Sequence, residues 1–374
     1  MRRVPTLFAA LSLAVAGCST SSVDPDATVH ISGRALDASG RPLSGATVLL
    51  FKEADIGEVV VGTVLAIGTL STVCLLPDPP AVCRKARTTT ADEDGRYEFE
   101  LRGSDTQGTL GTESTLNVVF AGAPRKGSTT VGFAAKDTSV TLPDARLWKA
   151  LPEVSRPSGR IGLSWSPLPK ATGGDAEYSA QLFESDTGAA TWSQPATGGL
   201  ASIDPRILED RSSSVAVGAR TTLPGGTNTG TVQASYLSAR LQVDATAGAP
   251  PSRGRPCAPV RGPTARLGDP PDDCPMTDGD LTTPAGLRTR GTAVVTGVVV
   301  DLGLVRPVDL VVVRGFAGQF LVEVSTDGRI FQQVGTQIGT TVAVTPSGRP
   351  RARYVRVRSP AGVDESLATE VSVW

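Results

Sequence analysis

The chain carries five cysteines and one histidine, residue types that supply metal ligands, nucleophiles or crosslinks. Four of the cysteines form two couples that are close in sequence, Cys74 with Cys83 and Cys257 with Cys274. Neither spacing matches the CxxC pattern of a zinc site, and the single histidine, His30, is distant from both couples. An even number of cysteines in an exported chain indicates disulfides instead. Three pairings are formally possible, and we favour the local one.

The sequence shows no recognisable catalytic motif. A Ser-His-Asp or Cys-His site would have to use His30, which lies between a polar tether and a predicted strand. There is no HExxH motif and no Gly-rich phosphate loop that precedes a helix. Two carboxylates would suffice for a glycosidase, but a chain of small β-domains leaves no evident catalytic domain. We therefore expect a protein that is not an enzyme, with an unrecognised hydrolase as the alternative.

The fifth cysteine, Cys18, follows a signal-like N-terminus. Two arginines precede an apolar run over 4–16, which is shorter than the roughly 20 residues that cross a bilayer and suits a signal-peptide h-region. The run ends in Val-Ala-Gly-Cys, which resembles the lipobox of bacterial lipoproteins. The resemblance implies a signal peptide over 1–17, a diacylglyceryl group on Cys18 and a tether over 18–28. The alternative is an ordinary signal peptide with a chance cysteine.

A lipidated Cys18 implies attachment to a membrane on the exported side of the cell envelope. Each buried methylene contributes about 0.8 kcal/mol, and two or more acyl chains give stable anchoring where one does not. Ser19, rather than an aspartate, follows the cysteine. In an organism with an outer membrane, this permits sorting to it.

Composition favours short strands and tight turns. The chain has 374 residues, with Gly 41, Pro 28 and only 5% aromatic residues. Its net charge is −1, so no basic excess points to nucleic acid. We expect an all-β monomer of three β-sandwich modules in series.

The first predicted module covers 29–150. Alternating strands flank a turn between 29 and 51, and a strand, an acidic turn and a second strand follow at 88–99. The pattern resembles the carboxypeptidase regulatory-like, or transthyretin-like, family. The matching positions are Gly33, Asp37, Gly40, Pro42, Leu43, Gly45, Ala46, Val48, Thr89, Thr90, Asp94, Gly95 and Tyr97. The resemblance implies a small β-sandwich that is accessory to another function and is not itself a peptidase.

A long insertion, 53–87, separates the two halves of that pattern. Residues 59–76 hold no charge, and this length reaches the threshold for a membrane span. A crossing there would place the two halves of one β-sandwich on opposite sides of the membrane. We therefore expect a buried hairpin closed by Cys74 and Cys83, with brief contact to the nearby bilayer as a weaker alternative.

The second predicted module covers 158–245. Its strand and turn spacing is typical of an all-β sandwich. The Leu-x-Trp-x-Pro start at 163–167 and a later tyrosine are similar to fibronectin type III modules. Trp165 and Trp192 are candidates for stacking on sugars, but we expect both to pack in the core.

The last predicted module covers 274–374, after a Pro/Gly/Arg-rich linker over 246–273 that Cys257 and Cys274 pin to it. Strand after strand alternates or is β-branched. The D-G-D-x-x-T, V-D-L-G, S-x-D-G, A-R-Y-V-R-V and x-E-V-x-V landmarks occur in this order. Together they resemble the discoidin-like (coagulation factor 5/8 type C) family. The resemblance implies a galactose-binding-like jelly roll, usually a module that binds glycans and sometimes lipids or proteins.

The same resemblance implies a structural calcium ion between an early loop and the last strand. The matching positions are Asp278, Asp280, Thr283 and Glu370. Carboxylates, a hydroxyl and loop carbonyls are the hard oxygen ligands that calcium prefers. The alternative is that 278–280 is only a turn and Glu370 only an exposed strand residue.

The last module also departs from the family pattern. The tryptophan usually found after the early threonine is missing, and the main aromatics are Phe316, Phe320 and Phe331. Sugar sites generally use an exposed aromatic face, so the ligand contacts stay unassigned. Arg314 and Arg353 could pair with an acidic group, but we expect them to be ordinary exposed strand arginines.

These observations together predict a lipid-anchored envelope protein with a non-catalytic binding role. The expected ligand of the jelly roll is a carbohydrate or an envelope polymer. The alternative is a structural envelope protein whose jelly roll has no glycan site.

Overall fold

The protein is described from a computed structural model. It describes residues 21–52, 87–108, 111–122, 127–149, 152–156, 159–168, 175–184, 190–208, 213–244, 247–261, 274–280, 295–315, 319–338, 341–358 and 369–374.

The described part of the chain is all-β, as predicted, and contains no α-helix within these ranges. The strands of the first half are β1 (Thr28–Leu36), β2 (Thr47–Lys52), β3 (Arg87–Thr90), β4 (Arg96–Arg102), β5 (Leu116–Ala121), β6 (Ser128–Phe133), β7 (Ser139–Thr141), β8 (Ala145–Arg146), β9 (Glu153–Ser155), β10 (Ile161–Ser164), β11 (Glu177–Glu184) and β12 (Ala190–Ala196). Those of the second half are β13 (Leu200–Ile203), β14 (Ser213–Leu223), β15 (Val232–Leu237), β16 (Leu241–Val243), β17 (Cys257–Arg261), β18 (Val295–Pro307), β19 (Val311–Arg314), β20 (Gln319–Ser325), β21 (Gln332–Ile338), β22 (Thr341–Val344), β23 (Arg351–Arg358) and β24 (Glu370–Val373). Short 3₁₀ helices occur at Gly103–Thr106, Pro205–Ile207 and Pro275–Thr277.

The first module has a small sheet in the order β4-β1-β7, with β8 also paired to β1. Strict alternation in β4 sets its inner face, because Tyr97, Phe99 and Leu101 are buried while the residues between them are exposed. The antiparallel register places Ile31 of β1 opposite Phe99. The sequence pattern alone therefore determines which face of this sheet meets the core.

The facing sheet extends beyond the first module. Its nine strands run in the order β12-β11-β14-β15-β6-β5-β2-β3, with β16 paired to β14. The junction is an antiparallel pair of β6 and β15, with Thr130 opposite Ser235. Nearby, the side-chain amide of Asn228 donates to the Ser139 carbonyl at 2.7 Å. Segments that the sequence suggests as separate modules thus share one sheet and one apolar core.

Part of this core is aromatic, and the sheet β13-β10-β9 contributes Ile161, Leu163 and Ile203 to it. The ring of Tyr178 lies 5.9 Å from that of Trp148 and 5.9 Å from that of Trp165. Trp165 and Trp192 are 7% and 5% exposed, so both pack in the core as predicted and neither offers a face to a sugar.

The C-terminal part is a second sandwich with its own valine-rich core. A five-stranded sheet in the order β17-β18-β23-β20-β21 faces a three-stranded sheet, β22-β19-β24. All strand pairs in it are antiparallel, and Val313 of β19 lies between Val342 and Val371.

Strand β17 lies within the segment that the sequence suggests as a linker. Pro259 pairs with Val298 of β18, which is possible because β17 is an edge strand and one side of it needs no N–H donor. Ser252 is fully buried, and its hydroxyl accepts a hydrogen bond from the Val373 amide at 2.8 Å. These contacts make the chain around 252–261 an integral part of the sandwich.

The C-terminal sandwich packs directly against the preceding sheets. Leu310 and Val312 belong to the same apolar core as Ile207. Arg314 is 7% exposed and donates to the Ile207 carbonyl, so it is not the exposed strand residue that the sequence suggests. The Arg206 guanidinium lies 5.8 Å from the centroid of a Trp374 ring.

The insertion at 53–87 falls almost entirely outside the described residues, and Cys18, Cys74 and Cys83 lie outside them altogether. Within the described ranges, no helix is long and apolar enough to span a membrane.

Candidate functional site

The structure brings together some of the residues that the sequence predicts as calcium ligands. Asp278 and Asp280 follow the 3₁₀ helix Pro275–Thr277, and Glu370 is the first residue of β24. The Gly279 amide donates to the Glu370 carboxylate at 3.1 Å, so the early loop and the last strand do meet. Thr283 lies outside the described residues. Glu370 is fully buried, which rules out the alternative of an exposed strand position.

Protein groups already hold this loop. The Asp278 carboxylate accepts from the Asp280 amide at 2.7 Å, and Gly279 has a left-handed backbone with φ 86°. A methyl group on Gly279 would lie 2.9 Å from the Arg253 guanidinium, so that cation rests against the loop. The oxygen donors suit calcium chemically, but the described residues contain no group of three or more His, Cys, Asp or Glu placed to hold a metal.

A disulfide fixes the base of the same loop. Cys257 and Cys274 are bonded as predicted, with their Cα atoms 5.4 Å apart. The Thr277 hydroxyl donates to the Arg255 carbonyl at 2.7 Å, and the Gly254 amide donates to the Thr277 carbonyl at 2.7 Å. The turn before β17 and the loop before Asp278 are therefore tied into one rigid unit.

An ion pair between Asp301 of β18 and Arg353 of β23 lies next to this rigid unit. Arg353 of β23 donates two hydrogen bonds to the Asp301 carboxylate, both at 2.8 Å, and the Gly303 amide donates a third at 2.8 Å. Burial raises the pKa of Asp301, but these hydrogen bonds and the charges of Arg353 and Arg255 outweigh it, so the pKa lies below its ordinary value. The Asp301 amide also donates to the Pro256 carbonyl at 3.0 Å.

Two exposed apolar side chains, Leu304 and Ile330, lie at the same end of the sheet as that pair. The register of β18 against β23 shifts between Asp301 and Arg306, and the residues looped out there include Leu304, which is 53% exposed. In the turn after β20, Ile330 is 80% exposed. Asp301 and the last residue of β20, Ser325, both pair with Tyr354, so the β18 bulge and this turn share one end of the sheet.

We name this region the loop end, comprising 253–256, 277–280, 301–306 and 325–330. It contains the two predicted aspartates together with Leu304 and Ile330, which sequence reasoning missed. The interruption of the pairing between β18 and β23 leaves no periodic signal in the sequence. Exposed aliphatic residues such as Leu304 and Ile330 cannot be told apart from core residues by their type. The landmark V-D-L-G of β18 was the available hint, since its glycine, Gly303, has a φ of 80° and lies where the pairing of β18 with β23 is interrupted.

The remaining predicted candidates have structural roles. Phe320 is 1% exposed, and Phe331 lies under the Arg356 guanidinium at 4.0 Å. Arg356 also donates to Glu323 at 2.6 Å. Burial raises the pKa of Glu323, but hydrogen bonds and charge from Arg356 and Arg358 outweigh it and hold the pKa below its ordinary value. Phe316 lies outside the described residues.

No protein-family profile and no curated protein matches the sequence. Similar solved structures include SpGH29, at 18% identity and TM-score 0.26, covering 33% of this chain and 27% of that one. A Family 89 glycoside hydrolase from Clostridium perfringens in complex with PUGNAc is 16% identical at TM-score 0.26, covering 34% of this chain and 14% of that one. CpGH89CBM32-5 from the same organism, in complex with GalNAc-β-1,3-galactose, is 15% identical at TM-score 0.27, covering 34% of this chain and 99% of that one.

These structural neighbours include carbohydrate-binding CBM32 modules. The chain spans well under two thirds of the two larger proteins named above. At these identities the likeness concerns the fold alone and assigns no role to any residue of this chain.

Proposed function

We propose that this protein is a lipid-anchored cell-envelope protein that does not catalyse a reaction and binds a carbohydrate or an envelope polymer at the loop end. The observation that carries the proposal is the rigid, mixed surface of that end. Crosslinked loops present carboxylates and arginines at the same end of the sheet as exposed Leu304 and Ile330. Binding sites combine fixed polar groups with apolar contact area in this way.

The charge states of two carboxylates speak against one catalytic role, that of a general acid. A general acid needs a pKa raised towards neutrality. Asp301 and Glu323 instead have lowered pKa values, because arginines donate to both carboxylates. Such groups stay ionised and serve as hydrogen-bond acceptors and structural anchors.

Calcium is part of the proposal as a structural ion. The ligands expected from the sequence are Asp278, Asp280, Thr283 and Glu370, and the ion would have to draw the three carboxylates together, since the described residues do not already form such a metal-binding group. Its contribution would be to stiffen the early loop against β24, where the Gly279 amide donates to the Glu370 carboxylate. The ion would take no part in chemistry.

A purely structural envelope protein is the second candidate, and one observation favours it. The described loop end carries aliphatic rather than aromatic exposed side chains, whereas Trp165 and Trp192 are buried elsewhere. Aromatic faces are the usual platform for sugar rings. In this alternative, Leu304 and Ile330 would contact a neighbouring envelope component instead of a glycan.

The test is binding of the chain from Ser19 onward to an array of glycans and cell-envelope polysaccharides, with calcium and with chelator. We expect saturable binding to at least one polysaccharide that weakens on chelation. Ile330→Ala should reduce it about tenfold, as truncation of a central contact typically does. Leu200→Ala, which changes an aliphatic residue of 63% exposure in another module, should leave it intact. A folded chain that stays silent on every polymer contradicts the proposal and leaves the structural alternative.

A further inference from the structure

The first module has a distinct end at which the chain arrives from its N-terminal segment. Residues 21–27 are the part of the predicted tether that the structure describes, and they pack against the module. Val23 is 4% exposed and belongs to the main apolar core. The Ser21 amide donates to the Gly111 carbonyl at 3.0 Å. The chain is therefore attached to the module from Ser21 onward.

The 3₁₀ helix after β4 holds the second half of this segment. The Gly103 amide donates to the Ala27 carbonyl at 2.8 Å, and the Ser104 amide donates to the Pro25 carbonyl at 2.9 Å. A methyl group on Gly103 would lie 1.9 Å from the Asp24 carbonyl oxygen, so the two backbones are in direct contact. Because the first N–H groups of a helix have no partner within it, the segment satisfies donors that would otherwise be unpaired.

Strands of both sheets of the module begin or end at this place. In the smaller sheet, the antiparallel register pairs the first residue of β1 with the last residue of β4. In the facing sheet, Lys52 Nζ at the end of β2 donates to the Gln107 carbonyl at 3.0 Å. At the start of β3, the Arg87 guanidinium lies 3.2 Å from the Asp105 carboxylate. The segment 21–27 thus lies across one whole end of the sandwich.

We name the surface formed by 21–27, 102–108, Lys52, Arg87 and Gly111 the tether end. Residues 53–86 lie outside the described residues, but Lys52 and Arg87, which flank them, both belong to this surface. The uncharged run that the sequence analysis noted is part of that insertion. The points at which the described chain stops before the insertion and resumes after it therefore share one surface with residues 21–27.

The covalent path from this surface to Cys18 is short. Ser21 follows Cys18 by three residues, and an extended chain covers at most about 3.6 Å per residue, so the two Cα atoms lie within about 11 Å of each other. With the acyl chains of a lipidated Cys18 in a bilayer, Ser21 cannot move farther than this from the headgroup layer. A free tether over all of 18–28 would instead allow about 36 Å.

The charges of the tether end are balanced. It carries three cations and three carboxylates: Lys52, Arg87, Arg102, Asp24, Asp26 and Asp105. Attraction to an anionic lipid surface needs an excess of lysine and arginine, each worth about 1 kcal/mol near the surface. The tether end has no such excess, so the covalent link rather than a basic patch would hold it at the membrane.

We infer that the tether end is the surface with which the protein rests on the headgroup layer of a lipid bilayer. The inference rests on the proposed lipid anchor at Cys18. The short link imposes the contact, and the first module is seated on the membrane rather than suspended from it. The turn between β3 and β4 lies at the opposite end of the module, about 20 Å farther out along the seven residues of β4.

Quenching of tryptophan fluorescence by nitroxide-labelled headgroups tests the inference. Full-length protein purified with its lipid is reconstituted in vesicles of phosphatidylethanolamine and phosphatidylglycerol, with or without a lipid that carries a headgroup nitroxide. Ser104→Trp adds an exposed reporter at the tether end, and Glu93→Trp, the matched control, adds one in the exposed turn at the opposite end. Asp26→Trp is a second tether-end reporter should Ser104→Trp fail to fold. The signal of the four native tryptophans is measured in the parent and subtracted.

We expect the nitroxide to reduce the added fluorescence of Ser104→Trp at least about twofold and to leave that of Glu93→Trp nearly unchanged, because the link is short and the control lies about 20 Å farther out. A flexible spacer of about 12 Gly and Ser residues between Thr20 and Ser21 has a root-mean-square length of about 20 Å. Its insertion should lower the quenching of Ser104→Trp towards that of the control.

Three outcomes count against the inference. Equal quenching of Ser104→Trp and Glu93→Trp, in protein that floats with the vesicles, overturns it and leaves the lipid anchor in place. Quenching of Ser104→Trp that persists with the spacer overturns the claim that the short link imposes the contact. Parent protein that does not float with the vesicles overturns the lipid anchor and this inference together, whereas carbohydrate binding at the loop end is measured separately on the polysaccharide array.

Discussion

Gly33 of β1 and Tyr97 of β4 are directly opposite each other, and a methyl group on Gly33 would lie 2.3 Å from the Tyr97 hydroxyl oxygen. Gly33 is not among the residues with positive φ, so space rather than backbone conformation requires the glycine. The aromatic ring crosses the inner face of the sheet over this position. Both residues belong to the sequence pattern from which the first module was predicted, and this contact is a physical reason why a glycine lies opposite the tyrosine.

Gly33→Ala should destabilise the protein. The added methyl forces the Tyr97 ring out of its place, and overpacking of this kind typically costs about 1–3 kcal/mol of unfolding free energy. Chemical denaturation measures the loss. Gly230→Ala is the matched control, since its nearest neighbour would lie at 3.6 Å, an ordinary contact distance. Equal stability of Gly33→Ala and the parent would show that the ring is not confined there.

Tyr97→Phe should be neutral or stabilising. Removal of a buried hydroxyl that has no partner among the described residues relieves a desolvation cost of about 1–3 kcal/mol. The same change should reduce the penalty of Gly33→Ala, because the closest atom disappears, although Tyr97 Cζ at 2.6 Å keeps part of it. A double-mutant cycle measures the coupling. A loss of stability in Tyr97→Phe would mean that the hydroxyl is satisfied.

Much of this first module could be predicted because its information is local. The alternation in β4 and the turn between β3 and β4 define inner and outer faces without reference to the rest of the chain. The pairing of β6 with β15 could not be predicted in this way. The hydrophobic patterns of β6 and β15 are those of ordinary strands. Neither pattern indicates that the strand pairs with a partner about 100 residues away in the sequence.

In the C-terminal sandwich, too, local features could be predicted from the sequence and long-range features could not. Local pairing of Cys257 with Cys274 was predictable from their spacing. Strand β17 was not, because Pro259 and its neighbours look like a linker unless one knows that the strand lies at a sheet edge. The burial of Arg314 and the exposure of Ile330 likewise depend on what packs nearby, which composition does not encode.

Loss of the Cys257–Cys274 disulfide should weaken the whole C-terminal sandwich. The bond joins residues 17 positions apart, and closure of a loop of that size is worth about 3 kcal/mol in the chain-entropy model. The double variant Cys257→Ala, Cys274→Ala should unfold at lower denaturant, and amide exchange in β17 should quicken first. Unchanged exchange in β17 would contradict the role given to this crosslink.

The Asp301–Arg353 pair should make stability pH-dependent. Because the folded-state pKa of Asp301 lies below its ordinary value, the pair contributes fully above that ordinary value and its contribution is lost as pH falls towards the folded pKa. Asp301→Asn should therefore be less stable than the parent at neutral pH, and the difference should shrink in acid. A denaturation series across pH checks this, and a difference that stays constant in acid would refute the assignment.

Cys18→Ser should release the protein from the membrane. If the thiol carries the lipid, its loss removes the only acyl anchor that the sequence predicts, and fractionation should find the chain in the soluble exported fraction. Ser19→Ala, next to the modified residue, is the control and should remain in the membrane pellet. Retention of Cys18→Ser in the pellet would show that another segment holds the protein there.

The central claim is that the loop end binds an envelope carbohydrate, and the most direct measurement is the affinity of the intact chain for polysaccharide purified from its own cell envelope. We predict saturable binding that the double variant Leu304→Ala, Ile330→Ala weakens by at least about tenfold, equivalent to about 1.4 kcal/mol, while Leu200→Ala binds like the parent. Equal affinity of the loop-end variant and the parent, or no binding by a folded chain, would contradict the claim.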